Sequence, residues 1–315
     1  MLGMKKRMFT GLQPSGALHI GNYFGALKPA VDLAQDLDSM VMIADLHALT
    51  SLKDPSALKA NIISGVKDYI GAGLDPAQTV IFQQSQVQEH TELAWIFECL
   101  VTVPFLQQAH AYKDKVAKGL EANAGLFNYP MLMAADILLY ETDIVPVGAD
   151  QRQHVEYARE AAAKFNLAYS DTFKEPAEHI LDTVGTIPGT DGKKMSKSYG
   201  NTIPLFGTKD EIAKAVMGIV TDSAGDIPEN VYAIHKLFKT EADLAPVYEG
   251  NKGKYKNLKE ALIEDIDAFI APMRERRDAV TDADVSRILT EGSARARERA
   301  AATMKIVRER VGILL

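Results

Sequence analysis

Short apolar runs alternate with longer helical patterns through the first half of this chain, and this alternation strongly constrains the fold. Strand-like runs occur at residues 6–13, 40–47, 79–85 and 143–150, and the segments between them have helical spacing of their apolar residues. Strands that alternate with helices in this way are typical of a parallel sheet joined by right-handed crossovers. The sequence therefore predicts an α/β fold.

The pattern changes after about residue 203. Helical spacing continues to the end with no convincing strand, in the segments 211–220, 230–238, 255–280 and 284–314. We therefore expect two domains, an α/β domain over residues 1–203 and a mainly α-helical C-terminal domain over residues 204–315.

Composition and charge exclude several classes of protein. Apolar residues make up 47% of the chain, but no apolar run approaches the roughly 20 residues that span a bilayer. The basic N-terminus is too short and too mixed for a signal peptide, and the single Cys99 excludes an intrachain disulfide. The net charge of −7 argues against indiscriminate nucleic-acid binding, although a locally basic docking face remains open. These features predict a cytoplasmic protein.

Polar residues follow three of the predicted strands. His19 and Asn22 follow the first strand, Asp45 and His47 end the second, and residues 148–151 end the fourth. Because ligands bind beyond the carboxyl ends of parallel strands, the three groups predict one shared site. The glycine-rich stretch before Asn22 could be only a turn, but it could also offer backbone N–H groups to a phosphate. It lacks the spacing of a dinucleotide fold or a P-loop, so a nucleotide would bind in another way.

A second signal is the loop TDGKKMSKSYGN at residues 190–201. Lys193, Lys194 and Lys197 are crowded among small residues, and a polyphosphate would offset their mutual repulsion. An exposed basic loop is the alternative explanation.

The two signals together resemble a known family. HIGN at residues 19–22 is similar to the HIGH signature of class I aminoacyl-tRNA synthetases, and KMSKS at 194–198 matches their second signature letter for letter. Further blocks, GLQPSGALHIGNYFGAL, ADLHALT, NYPMLMAADILLY and VPVGADQRQHVE, look like those of the tryptophanyl members. The resemblance covers nearly the whole chain and is weakest after residue 205.

The resemblance implies a fold and an activity. The first domain would be a Rossmann-type catalytic domain with a helical insertion and the KMSKS loop, and the second an anticodon-binding domain, in a homodimer. The enzyme would join tryptophan to AMP using ATP and Mg²⁺, release pyrophosphate, and transfer the amino acid to tRNA(Trp). The metal would be held through ATP, with no protein ligands.

The resemblance also implies roles for individual residues. The catalytic residues would be Lys194, Lys197, Lys115 and Gln13. The residues that contact ATP would be Gln13, His19, Gly21, Asn22, Gly148, Asp150, Gln151, Lys194, Met195, Ser196, Lys197 and Ser198. The residues around tryptophan would be Phe9, His47, Tyr129, Met133, Asp136, Ile137, Val145, Val147 and Gln151.

Asp136 is the candidate residue that bears on specificity for the amino acid. It lies in the apolar run AADILLY, where an unpaired buried carboxylate would cost several kcal/mol. It could be a capping or helix-pairing residue, or, as in the family, the acceptor of the indole N–H. Such an acceptor rejects phenylalanine, which has no donor, but it does not exclude tyrosine.

Other functions remain open. The alternatives are a tyrosyl-tRNA synthetase, a small nucleotidyltransferase with a similar turn, and a non-catalytic paralogue that binds tryptophan or RNA. The scattered histidines lack the spacing of a zinc site, and Cys99 alone cannot hold an iron–sulfur cluster. Candidate RNA contacts are Arg274, Arg276, Arg277, Arg295 and Arg299, although solvation of helix surfaces explains these arginines about equally well.

Overall fold

The structure is a computed structural model that describes residues 5–119, 121–147, 152–180, 187–221 and 225–314. Within these ranges one five-stranded parallel sheet has the strand order β3-β2-β1-β4-β5. The strands are β1 (Arg7–Leu12), β2 (Asp38–Ile43), β3 (Val80–Gln83), β4 (Ile144–Val147) and β5 (Ala177–Ile180). This is the predicted Rossmann-type arrangement, in which the strand order reverses beside β1.

The first four strands confirm the apolar runs of the sequence, and the fifth was not predicted. β1 pairs with β2 along its whole length, from Arg7 with Asp38 to Leu12 with Ile43. β2 and β3 are buried on both faces, so their sequences are continuous apolar runs, although β3 is an edge strand. β5 lies at the sheet edge and pairs only with β4. Its sequence AEHI has too few apolar residues to give the same signal.

Helices connect and cover the strands. α5 and α8 lie on one side of the sheet with α9, in a core that also contains Phe9, Met42 and Phe82. Side-chain caps begin two of the helices, Asp54 on α4 and Asn123 on α8. Helices α1 to α9 are Ile20–Asn22, Lys28–Ala34, Asp45–Ala48, Pro55–Gly71, Glu89–Glu98, Val103–Leu106, His110–Ala117, Ala124–Leu138 and Arg152–Ala168, and a π-helical turn, Tyr23–Leu27, joins the first two.

The described residues after 203 are helical, as predicted. Capping boxes begin three of these helices, where Thr208, Thr240 and Thr281 each accept from the backbone of an acidic residue three positions later. Helices α10 to α14 are Lys209–Met217, Glu229–His235, Glu241–Gly250, Tyr255–Asp278 and Asp282–Val311.

The C-terminal helices pack directly on the sheet domain. A core cluster that includes Val41 and Ile43 of β2 also includes Leu262 and Ile266 of α13. α14 crosses β3 so closely that a Cβ on Gly292 would lie 1.9 Å from the carbonyl oxygen of Ile81. The core is therefore continuous across residue 203, and the domain boundary stays a prediction. No helix in the described part of the chain is long and apolar enough to cross a membrane.

Candidate active site

A cavity of about 470 Å³ opens at the carboxyl ends of β1, β2 and β4. Its walls come from these strands and from the turns and helices that follow them, including α8. Gln13 and Asn22 line the same cavity. Eight of the nine side chains assigned to the amino acid by resemblance also line it, namely Phe9, His47, Tyr129, Met133, Asp136, Ile137, Val145 and Val147. The structure thus brings together residues that are up to 138 positions apart in the sequence.

Asp136 lies on α8, 1% exposed, at the wall of this cavity. Three side chains from three other elements surround its carboxylate. His47 Nε2 lies 2.7 Å from Oδ2, and His90 Nδ1 lies 2.6 Å from Oδ1. Gln84 donates from Nε2 to both oxygens, at 2.8 and 3.1 Å. The carboxylate is therefore well compensated for its burial.

Of these three partners, only His47 lines the cavity. Gln84 and His90 contact the carboxylate from the side that faces away from the cavity. A carboxylate has about four acceptor directions, and these contacts occupy at least three. At most one direction therefore remains for a donor that arrives from the cavity.

Electrostatics keep Asp136 ionised. Burial acts to raise its pKa, but the two neighbouring histidines, His90 more strongly than His47, lower the pKa to about 2. At neutral pH the carboxylate is thus an acceptor without a proton to donate.

Sequence reasoning missed two of the three partners. His90 is one of the scattered histidines that lack the spacing of a zinc site, and Gln84 directly follows β3 at the carboxyl edge of the sheet. The polar residues that follow β3 were the sequence signal that could have identified Gln84 as part of the site. Asp45, which the sequence did single out, is engaged elsewhere: it accepts from the Gln83 side chain at 2.8 Å and from the Ser85 backbone at 3.0 Å.

The HIGN turn links β1 to α1 through a reciprocal cap. The His19 backbone donates to Asn22 Oδ1 at 3.2 Å, and the Asn22 backbone N–H donates to His19 Nδ1 at 3.3 Å. Because Nδ1 accepts, the proton of the neutral ring is on Nε2. Burial, followed by the charge of Lys197, lowers the pKa of His19 to about 4. His19 is therefore neutral at pH 7, with an N–H group to offer.

The KMSKS loop packs against the HIGN turn. Met195 is buried, and a Cβ on Gly21 would lie 3.3 Å from its Cβ, so the glycine allows the close approach. Ile20 donates its backbone N–H to the Ile203 carbonyl at 3.0 Å. Lys197 Nζ donates to the carbonyls of Ser15 and Gly16. The two signatures, about 175 positions apart, are thus adjacent in the fold.

Asn201 stabilises the KMSKS loop through hydrogen bonds within it. It is buried, its Oδ1 accepts from the Ser196 backbone at 2.8 Å, and its Nδ2 donates to Asp191 at 2.6 Å and to the Lys194 carbonyl at 3.1 Å. A Cβ on Gly189 would clash with the Asn201 side chain at 2.4 Å. Internal hydrogen bonds thus fix the backbone of this loop, although small residues are frequent in it.

The remaining candidate residues lie away from the cavity or outside the described ranges. Lys194 and Ser198 are exposed on the loop, and Ser196 is half-buried. Lys115 is half-buried on α7 and is not part of the cavity wall. Gly148, Asp150 and Gln151 fall outside the described residues.

Four of the arginines considered for RNA contacts have partners within the chain. Arg274 donates to Asp267, Arg276 to the Gly71 carbonyl and Arg277 to Asp68, while Arg299 pairs with Asp38. The Arg276 and Arg277 contacts connect α13 to α4 and the Arg299 contact connects α14 to β2, while the Arg274 contact lies within α13. The side chains thus have structural roles, which sequence alone could not distinguish from solvation.

Comparisons with known proteins agree with this arrangement. A family model described as tRNA synthetases class I (W and Y) matches residues 3–279. A tryptophan–tRNA ligase of Fusobacterium nucleatum is 45% identical over 98% of this chain and 98% of its own length, and one of Rhodopirellula baltica is 42% identical over 98% and 99%.

A solved structure has the same fold over almost the entire chain. The tryptophanyl-tRNA synthetase of Campylobacter jejuni, complexed with ADP and tryptophan, matches with a TM-score of 0.91 and 41% identity, over 97% of this chain and 99% of that one. From its sequence and its fold, this chain belongs to the class I tRNA synthetases of the tryptophan and tyrosine family.

Proposed function

We propose that this chain is a tryptophan–tRNA ligase that forms tryptophanyl-adenylate from tryptophan and ATP and then transfers tryptophan to tRNA(Trp). The observation that carries this choice is the 45% identity, over 98% of both chains, to a tryptophan–tRNA ligase. The first step releases pyrophosphate and the second releases AMP.

The first step needs no nucleophile from the protein. The carboxylate of tryptophan attacks the α-phosphorus of ATP, the bond to the β-phosphate oxygen breaks, and negative charge develops on the departing pyrophosphate. The chain's task is to hold two anions in line and to neutralise that charge. Lys194 and Lys197 supply positive charge, and the N–H groups of His19 and of the α1 start face the nucleotide.

The amino-acid pocket fits an aromatic ring with one N–H donor. Phe9, Met133 and Ile137 provide apolar wall, and Asp136 lies among them as an ionised acceptor. The indole N–H takes the acceptor direction that the three protein donors leave open. His47, which contacts Asp136, lies at the indole N–H end rather than at the amino end that the resemblance implies. Tyr129, whose ring centroid is 6.5 Å from that of His47, lies toward the amino and carboxylate end of the substrate.

ATP is the nucleotide, and Mg²⁺ accompanies its phosphates. As the resemblance implies, the metal would be held through the phosphates of the nucleotide rather than by protein ligands. It supplies further charge neutralisation on the phosphates.

The helices after residue 203 bind the anticodon region of tRNA, and the enzyme works in the cytoplasm. α13 contacts α4 and α14 contacts β3, so these helices pack directly on the domain that contains the catalytic cavity. Cross-linking of bound tRNA to α13 or α14 tests this assignment.

The enzyme is a homodimer. Trp95 of α5 is 66% exposed and Val103 of α6 is 60% exposed, so both are free for a contact with a second copy. A second copy of the chain is the occupant that the family suggests, and sedimentation velocity tests it.

The decisive experiment is ATP–pyrophosphate exchange with each of the twenty amino acids in turn, without tRNA. Exchange with tryptophan alone supports the proposal, and exchange with tyrosine alone would favour the tyrosyl enzyme. Silence with all twenty, together with tryptophan binding in calorimetry, would favour a non-catalytic paralogue.

A further inference from the structure

A buried row of three polar side chains extends from Asp136 away from the cavity. His90 Nδ1 lies 2.6 Å from Asp136 Oδ1, and His90 Nε2 lies 2.8 Å from the hydroxyl of Tyr140. His90 is fully buried and Tyr140 is 2% exposed. Neither residue lines the cavity, so neither can contact the amino acid.

The 2.6 Å distance constrains the Nδ1 atom of His90. An unprotonated Nδ1 this close to a carboxylate oxygen would bring two lone pairs together, so Nδ1 carries a proton. The contact has the distance of an ion pair but not the alignment of a hydrogen bond, and Nδ1 has no other partner among the described residues. Nε2 is hydrogen-bonded to the hydroxyl of Tyr140 at 2.8 Å. Both ring nitrogens therefore have a partner, and Tyr140 holds the ring in the orientation that brings Nδ1 to Asp136.

The packing around His90 leaves the ring little freedom. Its face lies on Phe82, with ring centroids 6.0 Å apart and an angle of 18° between the planes. Phe82 and the adjacent Phe9 also pack on Tyr140, with centroid distances of 5.4 and 5.6 Å. The row is therefore held in one geometry by apolar contacts as well as by hydrogen bonds.

A donor at Oδ1 has two effects on the carboxylate. It fixes the rotation of the carboxyl group about its bond to Cβ, and it stabilises the ionised form. Both effects determine whether Asp136 presents an unprotonated acceptor to the cavity in a fixed direction.

We propose that His90, oriented by Tyr140, is a positioning residue that sets the selectivity of Asp136 for a substrate bearing a ring N–H. The inference rests on the proposed function, because it assumes that tryptophan occupies the cavity. It adds two residues outside the cavity to the groups that determine which amino acid is accepted.

The test compares two amino acids that differ only in the N–H group. Tryptophan and 3-benzothienylalanine, in which sulfur replaces the indole nitrogen, are each used in ATP–pyrophosphate exchange. The measured quantity is the ratio of kcat/KM for the two amino acids. Both values come from the same enzyme preparation, so a partly inactive variant does not change the ratio.

Three variants separate positioning from packing. His90→Leu removes the donor, and we expect the ratio to fall about tenfold, as for loss of one hydrogen bond to a charged group. Tyr140→Phe keeps the ring and removes the hydroxyl, and we expect a smaller fall in the same direction. His90→Asn places an amide N–H on the same carbon that bears Nδ1, and we expect it to restore the ratio to within about twofold of the wild type.

The chain contains a matched control remote from the cavity. His235 is also fully buried, with Nδ1 3.1 Å from the Tyr248 hydroxyl and Nε2 2.8 Å from Asp265. We expect His235→Leu and Tyr248→Phe to lower the thermal midpoint without changing the ratio.

The outcomes distinguish the inference from the proposed function. An unchanged ratio in both His90→Leu and Tyr140→Phe, with an active wild type, would overturn the inference alone. A wild type that exchanges with some amino acid other than tryptophan would overturn both. Should His90→Leu fail to fold, Tyr140→Phe decides, because an unchanged ratio in that variant would overturn the inference that Tyr140 orients His90.

Discussion

Lys197 donates from Nζ to the main-chain carbonyls of Ser15 and Gly16, at 3.1 and 3.2 Å, across 182 and 181 positions of sequence. Burial lowers the pKa of Lys197, while the Asp68 carboxylate acts in the opposite direction. The ammonium group thus lies against the turn that precedes HIGN with only neutral acceptors. A phosphate oxygen offers a charged acceptor, so an anion arriving here would form stronger hydrogen bonds than these carbonyls do.

Replacing this lysine should slow the chemical step more than it weakens substrate binding. We expect Lys197→Ala to lower the rate of adenylate formation about 100-fold, because the contact with pyrophosphate strengthens as charge develops in the transition state. The KM for tryptophan should change little. Single-turnover adenylate formation and tryptophan binding by calorimetry measure the two effects. Lys193→Ala, an exposed lysine of the same loop, is the control, and an equal loss of tryptophan affinity in Lys197→Ala would contradict the assignment.

The parts of the fold with a local signal were predictable. The strands β1 to β4 are apolar runs because they are buried in the sheet, and the capping boxes of α10, α12 and α14 mark helix starts in the sequence itself. β5 has one neighbouring strand and includes Glu178 and His179, so its place depends on pairing with β4 rather than on its own composition.

The site was predictable only in part, for a related reason. Strand ends and the HIGN signature identified part of the cavity wall, because each is a local pattern with a known place in a parallel sheet. The contact between His90 and Asp136 depends instead on how α5 packs against α8, and no spacing rule gives it. The ion pair of Arg277 with Asp68 likewise depends on the packing of α13 against α4, and sequence patterns do not predict that packing.

Asp136 should determine which amino acid is used, and ATP binding should be insensitive to it. We expect Asp136→Ala to lower kcat/KM for tryptophan about 100-fold, because the indole N–H is left without an acceptor. The variant should also be less stable to unfolding by about 2–4 kcal/mol, since Gln84 and His90 are left buried without their acceptor. Exchange kinetics and urea unfolding measure both effects.

A more conservative variant guards against loss of the fold. Asp136→Asn keeps one carbonyl acceptor at the same place, so it should retain more stability than Asp136→Ala while still losing tryptophan activity. The assignment of Asp136 would be wrong if either variant raised the KM for ATP and left that for tryptophan unchanged.

His19 should act as a neutral donor over the physiological pH range. Its pKa is about 4 in the folded chain against 6.5 for the free side chain, so it carries no charge between pH 6 and 8. We expect His19→Asn to raise the KM for ATP by a factor that is the same at pH 6 and pH 8. An inflection of kcat/KM for ATP near pH 6.5 in the wild type, absent in the variant, would show that the histidine titrates there.

The same shift predicts a pH dependence of stability. Because the folded pKa is lowered, the unfolded chain binds a proton as the pH falls from 6.5 to about 4 while the folded chain does not. This histidine therefore costs stability within that window and none above it. The urea midpoint of the wild type should fall more between pH 7.5 and 5 than that of His19→Asn, which cannot titrate and can still cap α1. Parallel declines of the two proteins would contradict the prediction.

Gly292 should be essential to the packing of α14 on the sheet. An added Cβ would lie 1.9 Å from the Ile81 carbonyl oxygen and 2.8 Å from its carbon, both main-chain atoms of the buried strand β3. β3 cannot move aside without disturbing its pairing with β2, so the helix must shift instead. We expect Gly292→Ala to lower the free energy of unfolding by about 1–3 kcal/mol or more, although alanine is otherwise favoured over glycine in a helix by about 1 kcal/mol.

Gly250, the last residue of α12, is the matched control for this substitution. An added Cβ there meets nothing within 4 Å, so Gly250→Ala should be neutral or slightly stabilising by its helix propensity alone. Urea unfolding of the two variants beside the wild type gives the comparison. Since α14 covers β3 and β3 leads directly into Gln84, the displaced helix in Gly292→Ala should also raise the KM for tryptophan, whereas Gly250→Ala should leave it unchanged. Equal stability of the two variants would mean that α14 does not lie against β3 as closely as the structure places it.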